Sequence, residues 1–352
     1  MTLLLRPGPP NKNVCILYTG GTIGMQLTAG GFAPASGYFE EQMTSLIRQA
    51  GRSLPACEVH SMQPLLDSVN IVPADWLRMA AWIAGHHLRY GGFVIVHGTD
   101  TMAYTASALA FLLRGLGKPV ILTGSMLPLG QPESDALPNL VGALNSAADS
   151  RIGEVCIYFG GKLLRGCRST KVSAWRKDAF ASPNCPTLGD GFPRPRLHRA
   201  QLLPRCTPPS EILVPSTPAP IGLVKIFPGM NLAVLESALQ AGLKGVVLET
   251  YGMGSIPENI PGFIALLHRM VERGSVLVSV SQCTEKSPEP GQYQSGAALS
   301  ETGVVAGGDM THEAAFAKLF TLLSLSLPFE TICQQIPQNL CGELTVRERV
   351  TP

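Results

Sequence analysis

The sequence predicts an α/β protein of two domains, the larger built on a mostly parallel sheet flanked by helices. Three observations carry that expectation. Short, uninterrupted apolar runs recur through the first two hundred residues, each ending in a cluster of Gly, Thr, Ser or Asp. Helix-like segments lie between them. A proline-dense stretch then separates this region from a second, shorter alternation of the same kind. Runs that are apolar throughout suit parallel strands buried on both faces. The βαβ alternation argues for an open sheet.

The elements follow in order. Val14 to Tyr18 is the first apolar run and ends in Thr19-Gly20-Gly21-Thr22. Trp76, Met79, Ala80 and Ile83 keep the i, i+3, i+4, i+7 spacing of a helix face. Phe93 to Val96 ends in His97-Gly98-Thr99-Asp100-Thr101, and Met102 to Leu113, rich in Ala and Leu, continues as a helix. Val120 to Leu122 leads into Thr123-Gly124-Ser125, and Val155 to Phe159 into Gly160-Gly161. Eight prolines then fall between Pro193 and Pro220 with little periodicity, as in a semi-rigid linker. Alternation resumes with Leu223 to Ile226, Val246 to Leu248 and Val276 to Val280. Thr311 suits the N-cap of a helix running to about Leu325. The expected division is residues 1–195, a linker over 196–220, and residues 221–352.

Composition excludes several functions. The 352 residues are 45% hydrophobic and 15% charged, enough apolar side chains for two cores. Net charge is +2 with scattered basic residues, unlike the concentrated basic face that a phosphate backbone requires. Nine cysteines are an odd set without a C-x-x-C pair, so neither a disulfide framework nor a zinc site is indicated. Leu3-Leu4-Leu5 falls far short of a signal-peptide core, and no run approaches a membrane span. The expectation is a soluble, reduced, cytoplasmic protein that binds neither nucleic acid nor membrane.

Ligands of an open parallel sheet bind beyond the carboxyl ends of its strands, which selects the polar clusters above. In Thr19-Gly20-Gly21-Thr22-Ile23-Gly24, three glycines let bare N–H groups approach a ligand oxygen, and two threonines supply hydroxyls. The spacing is not that of a dinucleotide fingerprint, and no Gly-Lys-Ser/Thr of a P-loop follows. A tight turn that merely joins strand to helix is the competing account. His97-Gly98-Thr99-Asp100-Thr101 places two hydroxyls and a carboxylate at a helix N-terminus, where free amides favour negative charge. One such residue can serve as a cap; three exceed what a cap needs. Lys171 and the pair Asp67-Ser68 are unremarkable taken singly.

Together the segments resemble the asparaginase/glutaminase family, and within it the type I, cytoplasmic L-asparaginases. The matching residues are Tyr18-Thr19-Gly20-Gly21-Thr22-Ile23-Gly24-Met25, His97 to Ser107, Thr123-Gly124-Ser125, Ala179 to Asn184, Gly307 to Thr311 and Asn339 to Thr345. The resemblance implies the two-domain asparaginase-like fold and a two-step amidase acting on L-asparagine or L-glutamine. It makes Thr22 the nucleophile of an acyl-enzyme, and Thr99, Asp100 and Lys171 a second triad in which the lysine polarises Thr99 and Asp100 holds the substrate's amino group. Gly21, Asp67, Ser68, Val69 and Ser125 become substrate-binding positions. It implies no metal, no organic cofactor, and a homodimer or homotetramer. The chemistry is coherent: a threonine hydroxyl needs a base, and a lysine beside a threonine can supply one.

The sequence departs from the family at four places. Phe32 stands ten residues after Thr22, where relatives carry a tyrosine on a mobile loop; Tyr38 replaces it only if that loop folds differently. Val69 replaces a second serine and keeps only its backbone N–H for the substrate. Glu249 stands where allosteric bacterial members carry an arginine, so no activation by asparagine is expected there. Gly254-Ser255 replaces a Gly-Asn pair. Two other readings remain. An amidotransferase subunit for charged tRNA shares these motifs but normally carries an extra N-terminal domain, and 13 residues precede the first strand here. A ligand-binding pseudoenzyme would explain Phe32 and Val69 but leaves the two threonines and the lysine without purpose.

Overall fold

The structure is a computed structural model, described over residues 2–5, 13–28, 31–35, 37–50, 53–207, 209, 211–285, 299 and 301–346. The chain divides into two compact units, Met1–Val214 and Pro215–Pro352. The division falls inside the proline-dense stretch, and the start of that stretch is sheet rather than spacer. Arg196–Leu197 pair with Gly189–Asp190 at the edge of the larger sheet.

In the first unit the strands are β1 Thr2–Leu4, β2 Val14–Gly20, β3 Met25–Thr28, β4 Gly31–Pro34, β5 Cys57–Leu66, β6 Gly92–Val96 and β7 Val120–Thr123. They continue as β8 Val155–Phe159, β9 Lys162–Arg165, β10 Thr170–Lys171, β11 Phe180–Ala181, β12 Gly189–Asp190 and β13 Arg196–Leu197. The helices are α1 Tyr38–Ala50, α2 Pro73–His86, α3 Met102–Leu112 and α4 Ala136–Ala147. Nine strands form one sheet in the order β1-β5-β2-β6-β7-β8-β9-β12-β13. The five strands from β5 to β8 in that order are parallel, and the edges are antiparallel.

The parallel centre is why its strands were apolar at every position. Val14 to Tyr18 and Phe93 to Val96 have no exposed surface at all, each large side chain contributing about 1.5–3 kcal/mol on burial. Val14, Ile16 and Tyr18 face the cluster that includes Phe39, Met43, Val94, Leu140 and Tyr158. Helix α3 is buried on every side save at Tyr104, which explains a run of Ala and Leu without a polar stripe. It ends at Leu112, one residue short of expectation.

Strand β2 lies between β5 and β6, so the chain order reverses around it. Such a reversal opens a crevice beyond the carboxyl end of the central strand, and Thr22 follows that end.

The second unit has four parallel strands in sequential order: β14 Ile221–Lys225, β15 Gly245–Thr250, β16 Val276–Ser281 and β17 Val305–Ala306. Helices α5 Ala233–Gln240, α6 Phe263–Glu272 and a longer one at His312–Ser324 accompany them. Its separate core gathers Val246, Leu248, Phe263, Leu266 and Leu277. Thr311 caps its helix as expected, its hydroxyl oxygen accepting the Ala314 N–H at 3.1 Å. Asp309 accepts the Thr345 N–H at 2.9 Å and its hydroxyl at 2.6 Å. The two C-terminal segments that carried part of the family resemblance therefore hold each other. Among the described residues no helix is long and apolar enough to cross a membrane, and all nine cysteines are free thiols.

Candidate active site

Three strand ends converge at backbone distance because their glycines have no side chains. Gly20 and Gly21 have φ of 122° and 90°, a region that favours glycine. A Cβ built on Gly20 would lie 2.2 Å from the Leu66 carbonyl oxygen at the end of β5. One on Gly21 would lie 2.4 Å from the Gly98 nitrogen beyond β6, and one on Gly98 would lie 2.7 Å from the Ser68 Cβ. The Thr22 turn, the Asp67-Ser68 turn and the Thr99-Asp100 loop are thereby pressed together. Hydrogen bonds complete the join: Thr19 donates to the Val96 carbonyl at 2.9 Å, and Thr101 donates to the Ser68 carbonyl at 2.8 Å. Thr101 sits at the N-cap of α3, yet its side chain does not cap that helix.

Thr22 opens a 3-10 turn, Thr22–Gly24, anchored by the buried Ile23. The Ile23 carbonyl accepts the Leu129 N–H at 3.1 Å. Thr22 itself is half-buried. Asp67 opens a second short turn, Ser68–Asn70, accepting the Val69 N–H at 3.5 Å. Ser68 is buried, whereas Val69 is 61% exposed.

Lys171 reaches the cluster from a separate two-stranded sheet. Strand β10 pairs with β11 so that Lys171 stands opposite Phe180, and Phe180 packs edge-on against Phe159 at 5.0 Å. The lysine ammonium donates to the Thr99 hydroxyl oxygen at 2.8 Å and to the Asp100 carboxylate at 2.7 Å. Arg168 donates to the Asn184 carbonyl, holding the two ends of this hairpin region. The matching segment Ala179 to Asn184 thus works by placing the lysine.

Ser125 is buried, and its hydroxyl has no partner among the described residues. Its loop is pinned by Asp135, which accepts the N–H groups of Met126 and Leu127 at 3.0 Å and the Asn139 amide at 3.1 Å. The sequence reading missed Asp135 and Asn139, since an acid just before a helix and an amide four residues on look like surface residues.

At the expected lid position, Phe32 lies on β4 opposite Leu27; its side chain lies outside the described residues. Tyr38 begins α1 and donates its hydroxyl to the Leu129 carbonyl at 2.9 Å, which commits that proton away from the role of a lid tyrosine. In the second unit Glu249 is 8% exposed, its carboxylate 3.3 Å from His312 Nδ1. Among the described residues no three His, Cys, Asp or Glu side chains gather as metal ligands.

A two-domain α/β enzyme with hydroxyls, a carboxylate and a lysine gathered at a strand-order reversal is the class this fold and cluster define. The chain belongs to the asparaginase family. Residues 13–199 match the model described as Asparaginase, N-terminal, and residues 220–335 the Glutaminase/Asparaginase C-terminal domain. L-asparaginase 1 of Escherichia coli K12 is 44% identical over 95% of this chain and 98% of its own length. The mouse 60 kDa lysophospholipase is 37% identical over 96% of this chain but 63% of its own. The crystal structure of L-asparaginase I from Vibrio cholerae O1 biovar eltor aligns with a TM-score of 0.85 at 40% identity, covering 96% of this chain and all of that one.

Proposed function

We propose that this chain is an L-asparaginase, an amidohydrolase that converts L-asparagine to L-aspartate and ammonia through a threonyl ester. The observation that carries the proposal is the Lys171 ammonium within hydrogen-bond distance of both Thr99 and Asp100, in a loop pressed against the Thr22 turn. The near full-length likeness to L-asparaginase 1 of Escherichia coli supports it.

The Thr22 oxygen attacks the side-chain carbonyl carbon, and the carbonyl becomes an oxyanion. Backbone N–H groups of the Gly21 turn and of Thr99 stabilise that charge, a contribution often among the largest in acyl transfer. The C–N bond then breaks, the leaving nitrogen takes a proton, and ammonia departs. Water attacks the ester carbon, releasing aspartate and returning the proton to Thr22. During the attack the Lys171 amine takes the Thr22 proton by way of the Thr99 hydroxyl and passes it to the leaving nitrogen, and Asp100 stabilises the ammonium formed in between. Asp67, Ser68, the Val69 N–H and Ser125 bind the α-amino and α-carboxylate groups. The protein works in the cytoplasm without metal or organic cofactor, as a homodimer or homotetramer.

Ammonia release from L-asparagine and L-glutamine, measured in parallel, tests the reading. Lys171→Met, which keeps the stem and removes the ammonium, is expected to lower kcat by about 10²–10⁴-fold. Lysophospholipid serves as the contrasting acyl substrate. Fatty-acid release with no ammonia from either amide would overturn the proposal. The velocity curve for asparagine is expected to be hyperbolic, because the Glu249 carboxylate repels an anionic effector; a sigmoidal curve contradicts that expectation.

A further inference from the structure

One buried chain of hydrogen bonds reaches the centre of the cluster from helices α2 and α3. His97 follows β6 directly and has no exposed surface. Its Nδ1 lies 2.6 Å from the Gly98 carbonyl oxygen, and its Nε2 lies 2.9 Å from the Thr105 hydroxyl on α3. The Trp76 indole of α2 lies 3.0 Å from that same hydroxyl.

The direction of every bond follows from what each atom can do. A carbonyl oxygen only accepts, so Nδ1 carries the ring proton. Burial lowers the His97 pKa to about 4, so the ring is neutral at pH 7 and Nε2 is bare. Nε2 therefore accepts from Thr105, and the Thr105 oxygen accepts from the indole, which only donates. The chain runs one way: Trp76 to Thr105 to His97 to the Gly98 carbonyl.

We infer that Thr105 and Trp76 are positioning residues for the acyl-transfer site, acting through His97 to hold the Gly98–Thr99 peptide in its productive orientation. A trans peptide points its carbonyl and its N–H in opposite directions. Turning the Gly98 carbonyl onto a buried ring turns the Thr99 N–H away from that ring. Among the described residues this N–H donates to no backbone acceptor, which leaves it available to a developing oxyanion. Gly98 most needs such a restraint. It carries no side chain, yet its backbone forms the contact surface for both Gly21 and Ser68. A rotated 98–99 peptide would displace the Thr99 hydroxyl that Lys171 holds. The inference rests on the function proposed above, but the geometry of the relay can be read without turnover.

Long-range proton–nitrogen NMR of the histidine rings is the test, with His97 assigned by its absence in His97→Gln. The wild-type ring is expected as the Nδ1–H tautomer, unchanged from pH 5 to 8. In Thr105→Val, a substitution of nearly the same shape, the Gly98 carbonyl still holds the proton on Nδ1, and the Nε2 resonance is expected to move downfield as that nitrogen loses its donor. In the same variant kcat for amide hydrolysis falls by about 10–100-fold, less than or comparable to losing one oxyanion donor, with KM altered less than about twofold. Thr105→Ser restores both the Nε2 resonance position and kcat. An Nε2–H tautomer in the wild type overturns the relay directly and requires no variant. An unchanged kcat in Thr105→Val, beside a shifted Nε2 resonance, overturns the positioning role. A fixed tautomer in a protein that hydrolyses no amide sinks the asparaginase reading and leaves the relay intact.

Discussion

Replacing Thr22 with alanine is expected to abolish ammonia release, lowering kcat by about 10⁴–10⁶-fold, the scale of removing a nucleophile from a hydrolase. The side chain is half-buried on a short turn, so the loss of one hydroxyl and one methyl should leave thermal stability within about 1 kcal/mol. The choice of Thr22 over its neighbours is physical. The Thr19 hydroxyl is committed to the Val96 carbonyl, and Thr99 already accepts from Lys171. Thr22 alone of the three opens a turn at the strand-order reversal itself. Stopped incubations with asparagine followed by mass measurement give a second readout. Wild-type protein should accumulate a covalent aspartyl adduct on the peptide carrying residue 22, and the alanine variant should not. Retention of more than a hundredth of wild-type turnover by Thr22→Ala would move the nucleophile elsewhere, with Thr99 the next oxygen to replace.

The fold was legible wherever burial dictated every residue of an element. Val155 to Phe159 was bounded at the residue, because a strand covered on both faces has no polar position to blur its limits. Strands β9 to β13, two to four residues long, carried no such run and went unread. They pair antiparallel, at the edge of the large sheet or as a separate two-stranded pair, where a single face suffices, and one of them, β13, reclaims part of the proline-dense stretch for the sheet. The same contrast holds in the site. The glycines of residues 20–24 announced a close approach, and contacts with Leu66 and Gly98 supply what they approach. Lys171 looked like a solvated charge. Its contact with Thr99 spans 72 positions and depends on the β10–β11 pairing, which nothing local encodes. Only the family resemblance brought it forward. Trp76 counted as one apolar position of a helix face, and its indole N–H, bonded to a residue 29 positions away, left no mark on that pattern. The polar atoms of buried residues are where hydrophobic periodicity has least to say.

Lys318→Met is expected to be the most destabilising single substitution in the second unit, costing about 3–5 kcal/mol at neutral pH. Lys318 and Glu343 are both wholly buried, with the ammonium 2.6 Å from the carboxylate. The lysine also donates to the carbonyls of Ile336 and Gln338. Glu343 accepts the N–H groups of Leu340 at 2.9 Å and Cys341 at 2.8 Å. Each charge thus satisfies backbone groups that methionine and leucine cannot, so Lys318→Met/Glu343→Leu should recover only part of the loss. Burial alone would raise the Glu343 carboxyl, but the Lys318 charge, its hydrogen bond and the two backbone donors more than offset it. The net effect leaves the carboxyl below its ordinary value. A depressed folded-state value contributes stability that is present above the unfolded carboxylate range and lost as pH falls through the folded one. In the methionine variant, burial is unopposed by the lysine, and the carboxyl protonates before it does in the wild type. The gap between the two proteins should therefore be widest near pH 7 and narrow toward pH 4. Urea unfolding followed at several pH values, with the second unit's transition resolved from the first, measures that gap. A gap independent of pH would show that lost packing around the lysine stem, rather than an unpaired buried carboxylate, carries the cost.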